Sequence, residues 1–173
     1  GQSTEILNQK EFYAKFFPEL EIYTYEPVEA NYEALLANIE ANNVTSIKAF
    51  NLAVTADGRD VELCQPRGNT GGANITDFLA AEESEYMSFH SAKSTTLDEI
   101  FEQNNIEKCK IMKMDCECSE HEILKSYSFK YKIENFLGEF HINGGLLMAG
   151  HSIEALMYLL RENNVYIQVN SIE

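Results

Sequence analysis

The chain is poor in positive charge. Its 13 Lys and Arg stand against 28 Asp and Glu, a net charge of −15, and the pI is near 4.6. No basic run offsets the deficit locally. Binding to nucleic acid rests on cations that neutralise phosphates, so the sequence argues against a nucleic-acid partner. An anionic membrane surface is disfavoured on the same ground. No apolar run approaches the roughly 20 residues of a membrane span, and no secretory signal is visible. Cysteine is scarce: Cys64, Cys109, Cys116 and Cys118. Cys116 and Cys118 are too close for an ordinary disulfide framework, so free thiols in a reducing, cytoplasmic setting are expected. Cys109, Cys116, Cys118 and His121 match no common zinc spacing, so no metal is expected. Gly68-Asn69-Thr70-Gly71-Gly72 lacks the Walker spacing and its Lys, so it is not a phosphate loop.

The 173 residues, 45% of them hydrophobic, suffice for one domain with one well-buried core. Ser3 or Thr4 is placed to cap a first helix that Pro18 ends. Glu21 to Tyr25 reads as a strand closed by Glu26-Pro27. A helix follows with Val28, Tyr32, Leu35, Leu36 and Ile39 on one stripe, ended by Asn42-Asn43. Ser46 to Val54 reads as a strand, Ala56-Asp57-Gly58 as a turn, and Val61 to Leu63 as a short strand. From Gln65 to Ala92 there is no clear period, which predicts a surface connection or a substrate lid. Thr96 and Glu99 form a capping box for a helix from Leu97 to about Gln103. Then come a strand to Met114, a helix from Ser119 to Tyr127, and a strand from Ile133 to His141. Gly144-Gly145 reads as a turn. Ser152 starts a helix with Ile153, Leu156, Met157 and Leu160 on one face, and Val165 to Val169 is a last strand. Alternation of this kind implies an α/β fold, a mostly parallel sheet with helices on both faces.

The stretch Lys113 to Leu124 carries the most information. A short apolar run ends in Asp115 and Glu117, and Ser119 with Glu122 has the capping-box spacing. In an open α/β sheet ligands sit at the carboxyl ends of the strands, so Asp115 and Glu117 face a binding crevice. The ordinary alternative is that both acids favour the helix N-terminus. Lys113 is placed to pair with a neighbouring acid. Glu26, at the end of its strand, is placed to accept two hydrogen bonds from a ribose diol. His90 and His151 read as surface residues in loops.

Four segments together resemble the FkbM-type S-adenosylmethionine-dependent methyltransferases. Tyr23-Thr24-Tyr25-Glu26-Pro27-Val28 resembles the family's F-E-P strand. Thr96-Leu97-Asp98-Glu99-Ile100 resembles its T-L-D segment. Lys113 to Glu120 is similar to K-x-D-x-E-G-x-E, and Gly138-Glu139-Phe140-His141 to its E-x-H strand end. Cys118 stands where the family has Gly. The family's first strand and its D-x-G-A-x-x-G loop precede the first helix, and only Gly1-Gln2-Ser3 resembles the tail of that loop. The chain is therefore expected to be an N-terminally truncated single domain, residues 1–173, with a Rossmann-like class I sheet whose N-terminal strand is missing.

The resemblance implies S-adenosylmethionine as cofactor and methyl transfer to a hydroxyl of a small molecule or glycan. It places Gly1, Gln2 and Ser3 against the cofactor's methionine portion, Glu26 and Pro27 at the ribose, and Asn51, Leu52 and Ala53 beside the adenine. Asp115 is assigned to the methyl site, as positioning group or base. His141 is the candidate base, and Glu117 its orienting partner. Two alternatives stand beside this: a catalytically inactive methyltransferase-fold binding domain, and a nicotinamide-dependent dehydrogenase, whose G-x-G-x-x-G loop is not visible.

Overall fold

The computed structural model describes residues 20–67, 73–75, 87–141 and 144–166. The first helix, Gly1 to Ser3, the Gly68–Gly72 stretch and the acidic stretch near 81–85 lie outside those residues, as does the last strand beyond Tyr166. The described residues form a mixed α/β structure of small sheets and several helices. They fall into two compact units. The first combines residues up to Val54 with Arg59–Ser94, and the second combines Thr55–Gly58 with the chain from Thr95 on.

In the first unit β1 (Ile22–Tyr25) runs parallel to β2 (Ile47–Phe50), with Tyr25 opposite Phe50. Helix α1 (Glu29–Ala41) joins them. Glu29 in its first turn complements the helix dipole, and Asn43, at φ 52°, ends it in the left-handed region that Asn tolerates. Of the expected stripe, Val28 and Leu35 are buried, Tyr32 and Ile39 are half-buried, and Leu36 faces solvent.

The strand expected from Ser46 to Val54 is broken in two. Glu26 N–H donates to the Phe50 carbonyl, which closes the β2 ladder. Asn51 then turns its side-chain amide onto the carbonyls of Glu26 and Pro27, at 2.9 and 3.3 Å. The chain resumes as β3 (Ala53–Val54) with a new partner, Ala53 N–H donating to the Lys93 carbonyl.

The stretch read as a surface connection contains strands. β4 (Val61–Pro66) is longer than expected and pairs antiparallel with β5 (Asn74–Ile75) and with β6 (Met87–Ala92). β6 lacks β-branched residues and clean alternation, so its signal in sequence is weak. What holds it is burial of its partner: Val28, Ala53, Val61, Leu63 and Ile75 form one core, with Ala73 and Ala92 packed against it. Each large aliphatic side chain so buried contributes about 1.5–3 kcal/mol. His90 therefore lies in a strand rather than a loop. β7 (Ser94–Thr95) follows.

The second unit opens with the expected turn, where Gly58 at φ +73° donates its N–H to Thr55 Oγ1. The Thr96–Glu99 capping box is present, and α2 (Leu97–Gln103) follows it. The strand expected to end at Met114 occurs as β8 (Lys108–Cys109) and β9 (Met112–Met114). The one expected from Ile133 to His141 occurs as β10 (Lys132–Ile133) and β11 (Phe136–Gly138). Asn135 interrupts it, its side-chain amide donating to the Lys110 carbonyl. The pairs β8–β10 and β9–β11 are parallel, and Tyr166 makes an isolated parallel bridge to Asn135.

Helix α3 (Glu120–Ser126) packs against the last described helix, α5 (Ile153–Glu162). Ile123, Leu124, Leu156 and Leu160 on these helices are fully buried. Ser152 caps α5 as expected, its Oγ accepting from Ala155 N–H. Gly144-Gly145, expected as a turn, begins the short helix α4 (Gly144–Met148). Burial of Leu146 outweighs the roughly 1 kcal/mol that each glycine costs in a helix.

Candidate active site

Parallel pairing of β9 and β11 brings two of the quoted segments to one edge. Met114 lies opposite Gly138, and Glu139 N–H donates to the Met114 carbonyl at 3.1 Å. Asp115 to Glu117 and Glu139 to His141 therefore leave their strands at the same carboxyl end. His141 is the hub. Its Nδ1 lies 3.2 Å from Glu120 Oε1 and 4.0 Å from Asp115 Oδ1, and its Nε2 lies 3.6 Å from Glu117 Oε2 and 3.8 Å from Glu139 Oε1. Lys113 stands 3.9 Å from Asp115. Asp115, Glu117 and His141 are each about a quarter exposed (24%, 22% and 26%), so solute reaches them, whereas Glu120 is wholly buried.

The turn between β9 and α3 departs from the expected capping box. Glu117 and Cys118 both take left-handed backbone, at φ 46° and 82°. They deliver Ser119 already in helical conformation, and its side chain makes no capping hydrogen bond. An N-cap needs extended backbone for its oxygen to reach the free N–H groups. Glu120 takes over instead: its Oε1 accepts from Cys116 N–H at 2.8 Å. One carboxylate oxygen thus fastens the turn and meets His141. Cys118, standing where the family has Gly, occupies the backbone region that glycine enters without steric cost.

The electrostatics follow from crowding. Burial works against a charged His141, but the Glu120 hydrogen bond and the charges of Glu117, Glu120 and Asp115 outweigh it and hold its pKa above the ordinary value. Burial raises the Glu117 carboxyl, with Asp115, Glu120 and Glu139 adding to the rise and His141 opposing it. Burial, then Glu120, pushes the Cys116 thiol up to about 12. All four cysteines are free. Among the described residues, the group able to converge on a metal ion is Asp115, Glu117 and His141, not the cysteines.

In the first unit Glu26 stands at the end of β1. Its Oε1 accepts from Val28 N–H at 2.9 Å, so the carboxylate is fixed at the start of α1. Asn51 ties the ends of β1 and β2 together through the carbonyls of Glu26 and Pro27. Leu52 is half-buried, and Ala53 belongs to the core. The rings of Tyr25 and Phe50 stack beside them, 4.9 Å apart and 9° from parallel. The structure thus gathers Glu26, Pro27 and Asn51 in the first unit, and Asp115, Glu117 and His141 in the second.

A family model described as the methyltransferase FkbM domain matches residues 5–166. The chain belongs to the FkbM methyltransferase family. Membership points to methyl transfer as the class of reaction. No curated protein and no solved structure matches the chain. The FkbM match takes in every quoted segment, including Glu120, the last acid of the K-x-D-x-E-G-x-E resemblance. Sequence reasoning passed over Glu120 as a site residue although it closes that motif. It also missed Glu139, in the E-x-H segment, and the Tyr25–Phe50 stack. His151, read as a surface residue, meets His121 edge to face at 4.9 Å, and His121 is buried with its Nε2 against the Ser152 carbonyl. No helix among the described residues is long and apolar enough to cross a membrane.

Proposed function

We propose that this FkbM domain is an O-methyltransferase using S-adenosylmethionine, with a hydroxyl of a small molecule or glycan as acceptor. The observation that carries the reading is the convergence of Asp115, Glu117 and His141 at the carboxyl edge of the β9–β11 pair. A hydroxyl is a poor nucleophile at neutral pH, and a positioned base removes its proton as the new bond forms. His141 is that base. Glu120 Oε1 accepts a hydrogen bond from Nδ1–H, which fixes the tautomer and leaves the Nε2 lone pair for the acceptor. Once Nε2 has taken the acceptor's proton, Glu117 at 3.6 Å steadies the imidazolium, and Asp115 positions the acceptor.

In the first unit the Glu26 carboxylate, fixed by Val28 N–H, fits a ribose diol, because it is an immobilised acceptor at a strand end. Pro27 and Asn51 hold that strand end in shape, and Leu52 and Ala53 belong to the adenine side. Gly1, Gln2 and Ser3 belong to the methionine side. Bound there, S-adenosylmethionine supplies an electrophilic methyl group on a sulfonium. The fold we propose is the Rossmann-like class I sheet with helices on both faces, and the free cysteines suit a reducing cytoplasm.

The test is calorimetric titration of the 173-residue chain with S-adenosylhomocysteine, with NAD in a parallel run. Micromolar binding of the first, weakened at least tenfold by Glu26→Ala, is expected, with no heat from NAD. A folded chain that binds neither ligand defeats the cofactor assignment. Binding without methyl transfer to any hydroxyl acceptor favours the inactive binding domain.

A further inference from the structure

We propose that Asp115, Glu117 and His141 form a binding site for one divalent cation of the Mn²⁺ or Mg²⁺ kind. The inference goes beyond methyl transfer and stands without it, on the geometry of the second unit. Each of the three residues offers one ligand atom, and these atoms lie within 4.8 Å of one another. Around an octahedral cation with bonds near 2.1 Å, neighbouring ligands stand about 3 Å apart and opposite ones about 4.2 Å. Closing the widest allowed separation, 4.8 Å, to about 3 Å needs a shift of about 1 Å in each of two ligand atoms, within reach of side-chain rotation at residues a quarter exposed. Two carboxylates and one imidazole suit a hard or borderline cation better than a thiolate metal. Their partial exposure leaves open positions for water or a substrate oxygen.

A second, independent observation is Glu120. Its side chain has no solvent exposure, and its Oε2 has no hydrogen-bond partner among the described residues. A buried carboxylate oxygen left in this state is costly unless a positive charge stands near it. The imidazole that meets Glu120 also faces Asp115, Glu117 and Glu139, four carboxylates against the cations His141 and Lys113, the latter 3.9 Å from Asp115. A divalent ion supplies the missing charge. The Oε1 atom of the same Glu120 accepts from His141 Nδ1, the arrangement that orients a metal-bound imidazole and raises its basicity. With an ion bound, His141 would be a ligand in place of its role as base, and the cation would supply the acidity of a hydroxyl held there.

The chain, stripped with a chelator, is titrated with MnCl₂, and free Mn²⁺ is read from its paramagnetic resonance signal. One ion per chain is expected. Asp115→Asn, Glu117→Gln and His141→Ala should each weaken it at least tenfold, and Glu120→Gln, a change in the support of His141, by about tenfold. Glu62→Gln, in an exposed acid of the first unit, should leave the affinity unchanged, and far-UV circular dichroism verifies folding of each variant. No ion taken up by the folded wild-type chain overturns the proposal. Binding that survives His141→Ala also overturns it, as does binding that falls equally in Glu62→Gln, which would mean diffuse attraction to an acidic protein.

Discussion

His141 Nδ1 lies 3.2 Å from Oε1 of Glu120, a carboxylate with no exposure to solvent. The same oxygen holds Cys116 N–H at 2.8 Å. The imidazole is thus anchored through a buried acid to the turn that carries Asp115 and Glu117. Removing the charge of Glu120 while keeping its shape should lower the His141 pKa, since the Glu120 bond is the largest influence raising it. Proton NMR titration of the His141 ring in Glu120→Gln is the check, and an unchanged midpoint would break the link between the two residues.

The same linkage predicts how stability depends on pH. The folded His141 pKa lies above its ordinary 6.5. Its contribution is therefore fully present below about pH 6.5 and is lost as pH rises through the raised value. Glu117, raised above its ordinary 4.5, acts with the same sign at lower pH: the folded state holds its proton longer, so stability falls as that proton leaves. Urea midpoints measured between pH 6 and 9 should decline in the wild type and decline less steeply in His141→Gln. Equal slopes would mean that the cluster does not hold the proton.

Thr96→Ala should cost about 1 kcal/mol, the usual loss when an N-cap oxygen disappears. Here Thr96 Oγ1 accepts from Glu99 N–H at 3.2 Å, and Glu99 returns a bond to Thr96 N–H at 3.0 Å. Glu99 also accepts from Thr95 Oγ1, so Glu99→Ala should cost at least as much. Thermal denaturation separates these variants from a surface control such as Glu62→Gln.

Cys118 at φ 82° should be relieved by glycine. An L residue pays about 1–2 kcal/mol in the left-handed region, against roughly 0.5–1 kcal/mol of added chain entropy lost by Gly. Cys118→Gly should therefore raise the urea midpoint by the equivalent of up to about 1.5 kcal/mol. A lower midpoint would show that the thiol's own contacts outweigh the backbone strain.

These residues also show which parts of the molecule the sequence announces. Local chemistry is legible: the Thr96–Glu99 box, the Ser152 cap and the Gly58 turn appear where short-range rules put them. Strand ends are legible too, and Asp115, Glu117 and His141 do converge. What escapes is decided at long range. Ser119 has the spacing of a cap but not its backbone, because two left-handed residues precede it. β6 exists through its pairing with β4 across the intervening chain. Glu120 reads as an ordinary acid of a first helical turn, and only the fold of the turn buries it.

The core of the first unit draws on Val28, Ala53, Val61, Leu63 and Ile75, with Ala92 packed against it. That core cannot close on a ribosome until the strand carrying Ala92 has been made and has left the exit tunnel. At 5–20 residues per second, synthesis from Val28 to Ala92 takes roughly 3–13 s. For that interval Val28 and Ala53 lack the partners that cover them in the finished core.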